Sequence, residues 1–315
     1  MTAGAPIPTI IDEPLVRVFT PVHPTDLRRT LAPIGRGRRD RTMRIGADGV
    51  WRATRTPEGP ATQHLAQQGG AITARAWGPG AGWLNERVPV LVGGNDDDDD
   101  FAPANEGLGR LHRLYRGVRT PCTMAVWEAL LPTILEQKVT GKDARRSNGD
   151  LQRLLGEPAP RPPGGPALLL PLDPRVVADT PSHVFHSCNI ERKRSDTIRR
   201  TASYAHRLEE AVGMTMPDAY ARICSLPGVG AWSVAEVAKV ALGDADAVSV
   251  GDFHLKNAVA WNLAGEPRGS DERMLELLAP FQPHRGRVIR LLELGGSAAP
   301  RYGPRMTIRR WNEEP

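Results

Sequence analysis

Leu226-Pro227-Gly228-Val229-Gly230 runs directly into Ala231-Trp232, and Asp252 stands 22 positions after Gly230 (252 − 230). Glycine has no Cβ and tolerates φ > 0, so backbone N–H groups in such a segment approach an anion closely. A helix starting at Ala231 adds the positive end of its dipole at the same place. The pair fits a phosphate. An ordinary corner between two helices is the other reading of the glycines alone. Asp252 adds a carboxylate at the start of a further helix, where aspartate commonly caps. The N–H groups there favour the charged form of such a side chain. Trp232 offers an electron-rich face that attracts cations; a core tryptophan is its plainer reading.

Three elements must position these residues. Pro217 to Cys224 reads as a helix, with Pro217 suited to a first helical position and Asp218 to the positive N-terminal end. Ala231 to Leu242 is apolar almost all round. Ser233, Glu236 and Lys239 break that pattern three apart, so one narrow polar stripe runs down a mostly buried helix. Val248 to Gly251 reads as a short loop or strand, and Asp252-Phe253-His254-Leu255-Lys256 opens the next helix.

Hairpin and aspartate together resemble the helix-hairpin-helix (HhH-GPD) family of DNA glycosylases. The likeness rests on LPGVG, then W-S-x-A on the next helix, then V-G-D-F-H-L-K. It is nearest to the bacterial 3-methyladenine DNA glycosylase II (alkylated-base) branch, which has P-G-x-G-x-W-T and D-D-Y-L-x-K at corresponding places. The match runs from about Gly107 to about Leu292, more than half of the chain.

The resemblance implies a monofunctional enzyme that flips a damaged base out of double-stranded DNA and hydrolyses its N-glycosidic bond. Asp252 would be the catalytic carboxylate. Trp232 would line the base pocket, at the position where strand-cutting relatives place a Schiff-base lysine. Phe281 or His284 would complete the pocket, His284 standing where the branch has a second tryptophan. The backbone of Gly228, Val229 and Gly230 would grip one DNA strand. Carbonyls of Cys224, Leu226 and Val229 would hold a monovalent cation, Na or K; no other cofactor is required. Gln137 falls on a glutamine shared with the branch. Lys138 stands where the branch has an apolar wedge, a role that suits lysine poorly, and a surface-exposed helix end remains the alternative there. Two further readings stay open: a glycosylase for oxidised or deaminated bases, and a catalytically weak DNA-binding protein on the same scaffold.

The bulk properties agree with a globular DNA-binding protein. The 315 residues suffice for one large domain or two. Mean hydropathy is −0.36, and a net charge of +5 and pI of about 9.4 favour an anionic partner. Arginine carries that charge: Lys138, Lys142, Lys193, Lys239 and Lys256 are the only lysines. Cys122, Cys188 and Cys224 are far apart and odd in number, which argues against disulfides and against a four-cysteine iron–sulfur cluster. With no secretory signal visible and no apolar run near the ~20 residues of a membrane span, a cytoplasmic monomer is expected.

The fold class expected is α+β. An N-terminal arm and antiparallel sheet domain would take residues 1–105, a helix-hairpin-helix body 106–300, and a basic tail 301–315. Strands are expected in Thr42–Ile45, Val50–Thr54 and Ala71–Trp77, where alternation is bounded by glycine turns. The arginines between Arg36 and Arg44 read as a solvated face or a DNA-facing one. Five consecutive aspartates, Asp96 to Asp100, read as a solvated, mobile loop, with a cation site as the alternative. Thr123 to Val139 reads as a helix with Gly141 as its stop, Lys142 to Leu155 and Arg192 to Leu208 as further helices, and proline-rich Gly156–Pro174 as a stiff loop. His183, His186 and Cys188 offer zinc ligands but lack a fourth at finger spacing. Ser270 is a plausible cap for the penultimate helix, and Gly286 to Leu294 is the last.

Overall fold

Alternating side chains in the first third of the chain build a five-stranded antiparallel sheet, described together with the helices by a computed structural model covering residues 9–300. Its strands are β1 (Leu15–Phe19), β2 (Met43–Gly46), β3 (Gly49–Thr56), β4 (Gly59–Gln68) and β5 (Ala71–Trp77), in the order β1-β5-β4-β3-β2. Pairing Val50 with Leu65, and Leu65 with Ala74, sets one apolar row across the middle. That row packs with Leu27, Leu31, Val88 and Leu91, the last two from the helix Ala81–Leu91. Trp51, Ala53 and Trp77 instead meet Ala159, Leu168 and Leu170 of the proline-rich loop, which carries no helix before Pro174. The three expected strands are present. Two strands have no counterpart among the sequence expectations: β1, which follows the arm, and β4, whose Thr62 and Gln63 are polar yet buried because the strand is central.

The sheet meets the helices through Glu128, in the first turn of the helix Val126–Glu136. Glu128 accepts from Arg52 Nη2 at 3.0 Å, from the Arg55 backbone N–H at 3.0 Å and from the Thr54 hydroxyl. Val126, Leu130, Ile134 and Leu135 carry the helix into the largest core cluster, beside Ile198, Val234 and Val237. The helix is shorter than the expected Thr123–Val139 at both ends. Thr123 and Met124 donate to the carbonyls of Val240 and Ala241, at 2.9 and 3.0 Å, so their backbone is committed elsewhere. Glu209 then caps from a distance, accepting from the N–H groups of Val126 (2.9 Å) and Trp127 (2.8 Å). At the other end Gln137 is extended and Lys138 takes the left-handed turn (φ 56°). Gly141 is therefore no stop: it opens the helix Gly141–Leu155, capped by Thr140.

The expected helix Arg192–Leu208 is two, Arg192–Ser203 and Ala205–Glu209, broken at Tyr204. Ser270 caps the helix Asp271–Leu278, its hydroxyl accepting from Arg273 N–H at 3.1 Å, and the last helix is Arg285–Gly295.

The acidic run departs most from its sequence reading. Asp96 is 6% exposed and accepts from Arg287 Nη2 (2.6 Å) and Thr120 N–H (2.6 Å). Asp98 accepts from Arg119 and pairs with His112 Nε2 at 3.0 Å, and Asp100 pairs with His284 Nε2 at 2.7 Å. Asp96 and Asp98 thus turn inward onto Arg287 and Arg119, which offset the repulsion the sequence implies, while Asp100 stays exposed and meets His284. Asp97 and Asp99 stay at the surface, and their carboxylates converge with His23. His183, His186 and Cys188 form no such grouping among the described residues. All three cysteines are free. No helix among the described residues is long and apolar enough to cross a membrane. The basic tail, 301–315, lies outside the described residues.

Candidate active site

The hairpin is built by two short helices. Met216–Cys224 is capped by Thr215, with Pro217 and Asp218 in its first turn. Val229 N–H then returns to the Leu226 carbonyl at 3.0 Å, closing the turn. Gly228 adopts φ 95°, and a Cβ there would lie 2.5 Å from Thr197 Oγ1, so both conformation and packing require glycine. Gly230 differs. Its backbone is extended, it precedes the helix Ala231–Val237, and nothing lies within 4 Å of where a Cβ would stand. The hairpin backbone is thus open on its Gly230 side. Val229 points its side chain into the core, leaving only its backbone for the surface. The Val229 carbonyl lies 3.6 Å from Cys224 Sγ.

The helix after the hairpin continues from Ala231–Val237 as a π-helical segment, Ala238–Leu242, ending at Gly243 in the left-handed conformation. The carbonyls of its wide turn take up the backbone of Thr123 and Met124. The polar stripe on this helix faces inward and wires the site together. Ser233, 2% exposed, accepts from Gln137 Nε2 at 2.9 Å, and the same amide donates to the Gly228 carbonyl at 2.9 Å. Glu236 accepts from Ser249 Oγ (2.5 Å) and Lys239 Nζ (2.6 Å). Gln137 therefore braces the hairpin, while Glu236 ties the helix to the loop that carries Asp252. Arg200 braces the hairpin from the other side, donating to the Pro227 carbonyl at 2.9 Å. Lys138 is exposed at the adjoining turn.

Asp252 lies three residues before the helix Leu255–Ala264 rather than at its first position. Its Oδ1 accepts from the N–H groups of His254 and Leu255, both at 2.8 Å, and its Oδ2 from Trp232 Nε1 at 3.3 Å. The carboxylate is half-buried. Asp271 fixes the loop from behind, accepting from Gly251 N–H (3.1 Å) and pairing with Lys256 (3.3 Å). Gly251 adopts φ 91° at the bend.

The structure thus brings Asp252 and Trp232 together, beside Gly228, Val229, Gly230 and Gln137. Phe281 and His284 sit in a different cluster. Phe281 packs with Phe101, Val250 and Leu255, behind the Asp252 loop. His284 is 7% exposed, its ring against Phe101, with Nε2 on Asp100 and Nδ1 3.5 Å from Arg287 Nε. Its two nitrogens are thus occupied by Asp100 and Arg287. The sequence reading passed over Phe253, next to Asp252 and 77% exposed, although an aromatic flanking a candidate catalytic aspartate is itself a signal. It also passed over Asp271 as the brace of the loop, for which no local pattern exists.

The sequence matches no family model and no curated protein. Solved structures do match. A 3-methyladenine DNA glycosylase from Archaeoglobus fulgidus superposes with a TM-score of 0.76 at 16% identity, covering 88% of this chain and 97% of that one. An 8-oxoguanine glycosylase/lyase from Clostridium acetobutylicum, bound to double-stranded DNA with cytosine opposite 8-oxoguanine, gives 0.67 at 12% identity over 90% and 97%. A 3-methyladenine DNA glycosylase from Schizosaccharomyces pombe with abasic DNA gives 0.51 at 18% identity over 63% and 96%. The chain has the α+β fold of the helix-hairpin-helix DNA glycosylases.

Proposed function

We propose that the protein is a monofunctional DNA glycosylase that flips alkylated, 3-methyladenine-like bases out of duplex DNA and hydrolyses their N-glycosidic bonds. The observation that carries this reading is the Asp252 carboxylate. It is half-buried, contacted by N–H donors and held beside Trp232 on the helix that follows an open glycine hairpin. A base inside a duplex cannot reach a protein site, so it must be extruded. Backbone N–H groups at Gly230 and the helix N-terminus grip a phosphate without reading sequence.

Breaking the glycosidic bond leaves positive charge on the sugar, which the Asp252 carboxylate offsets while water attacks. At ~4 Å and an effective dielectric of ~20, one such charge contributes roughly 4 kcal/mol, or about a thousandfold in rate. That magnitude suits alkylated bases, which are already cationic and leave readily. The face of Trp232 attracts such a base more than a neutral one. Strand cleavage through an imine needs a free amine. Trp232 supplies none, and the lysines on the two helices of the site are paired, Lys239 with Glu236 and Lys256 with Asp271.

The carbonyls of Cys224, Leu226 and Val229 lie on one turn, and a carbonyl that already accepts one hydrogen bond keeps a second lone pair. They are the groups proposed to hold a monovalent cation, which would stiffen the hairpin. No iron–sulfur cluster is proposed, and a cytoplasmic monomer remains part of the reading. Exchanging Asp252 for asparagine tests it. Excision should fall about a thousandfold, with affinity for undamaged duplex nearly unchanged. Full excision by Asp252→Asn would end the catalytic assignment.

A further inference from the structure

The two oxygens of Asp252 have different partners. Oδ1 accepts two backbone N–H bonds, from His254 and Leu255, which close the turn into the following helix. Oδ2 turns across the site to the indole N–H of Trp232, 20 residues earlier in the chain. The two oxygens turn together about Cβ–Cγ, a broad torsion for aspartate, so the capping bonds to Oδ1 confine the carboxylate plane only to an arc. A second donor on a different element removes that freedom. Trp232 is well placed for this, because its helix is locked to the Asp252 loop one turn further on by Glu236 and Ser249. At 3.3 Å the indole contact is at the long end for N–H···O, so it orients the carboxylate rather than strongly binding it.

We propose that Trp232 is a positioning residue for catalysis: its indole N–H aims Oδ2 of Asp252, while its ring face meets the extruded base. This rests on the glycosylase reading above. It makes one side chain answer both to the base and to the carboxylate, so a base that displaces the ring also misaims the charge. A tryptophan that serves only as a pocket wall would be replaceable by another aromatic. One that positions Asp252 would not.

Trp232→Phe separates the two roles, because phenylalanine keeps an aromatic face and loses the donor. In single-turnover excision the maximal rate should fall roughly tenfold, as for loss of a hydrogen bond to a charged group, with the half-saturating enzyme concentration within about twofold of wild type. Trp232→Ala should lower the rate further and also raise that concentration. An unchanged maximal rate in Trp232→Phe would overturn the proposal. So would a phenylalanine variant whose defect lies wholly in half-saturation.

A readout independent of catalysis is the indole N–H resonance of Trp232 in protein with 15N-labelled tryptophan, assigned by its disappearance in Trp232→Phe. It should move in Asp252→Ala while the resonances of the other six tryptophans, of seven in the sequence, hold still. A Trp232 resonance indifferent to Asp252→Ala would rule the contact out. If the wild type excised no lesion at all, the functional reading would fail, yet this resonance would still decide the contact.

Discussion

Asp252 and Asp96 are both aspartates held by several donors, yet their surroundings prepare them for opposite tasks. Asp252 is half-exposed, and its donors are two backbone N–H groups and an indole N–H, none of them a cation. Asp96 is buried, with the guanidinium of Arg287 at 2.6 Å. Neutral donors orient a carboxylate and leave its charge to act on something else; a guanidinium consumes it. Burial pushes the Asp96 carboxyl above its ordinary value against the opposing pull of Arg287. The run 96–100 is accordingly a structural knot joining Thr120, Arg119, Arg287 and His284, while Asp252 has no cation among its hydrogen-bond partners and, on the proposed reading, turns its carboxylate to the substrate.

The comparison breaks if the two aspartates respond alike. Asp252→Asn should cost about a thousandfold in excision and little in urea-unfolding stability. Arg287→Ala should do the reverse. It strands Asp96 in the interior, and removing one partner of a buried pair costs about 3–5 kcal/mol, read as a lowered urea midpoint at constant slope.

Glu209 sharpens the same contrast, because it combines backbone N–H donors like those of Asp252 with a more enclosed carboxyl group. Burial pushes its carboxyl up to about 7, against the lowering effect of the Trp127 and Val126 N–H groups. The folded protein therefore binds this proton more tightly than the unfolded chain. The resulting stability is complete below the ordinary value of 4.5 and is lost as pH rises through about 7. Across that window the loss should approach about 3 kcal/mol, and Glu209→Gln should flatten it in urea titrations at several pH values. A slope that survives in Glu209→Gln would assign the titration elsewhere.

The smallest effect expected is at Gly230, where open space means that a side chain costs the fold little. Gly230→Leu should weaken binding to lesion-free and lesion-containing duplexes by a similar factor, about tenfold. It should also reduce the salt slope by about 0.9 for a lost phosphate contact. Normal binding by this variant would reduce the hairpin to a structural corner.

How much of this was legible in the sequence follows from distance along the chain. The hairpin, Trp232 and Asp252 lie within 27 residues (226 to 252), and glycine, proline and a capping aspartate each state their backbone preference locally. The helices flanking the hairpin were readable for the same reason. The acidic run was not, since its partners Arg287 and His284 come from nearly the other end of the chain. Strand β4 hid its central place in the sheet behind glutamine and threonine. The ends of Val126–Glu136 were set by Glu209 and by the π-helical carbonyls of Val240 and Ala241, which no local pattern announces. The inward direction of Ser233 and Glu236 became visible only with their partners Gln137 and Ser249 in place.

The proposed reaction is base removal without strand cutting. Incubating wild-type protein with a panel of duplexes, each holding a single alkylated, oxidised or deaminated base, tests it most directly, with each sample split between alkali treatment and borohydride. Strand breaks are expected after alkali on the 3-methyladenine-like duplexes, with intact strands without alkali and no covalent protein–DNA band with borohydride. A protein that leaves every lesion alkali-stable, or one that cuts unaided and is trapped by borohydride, would contradict it.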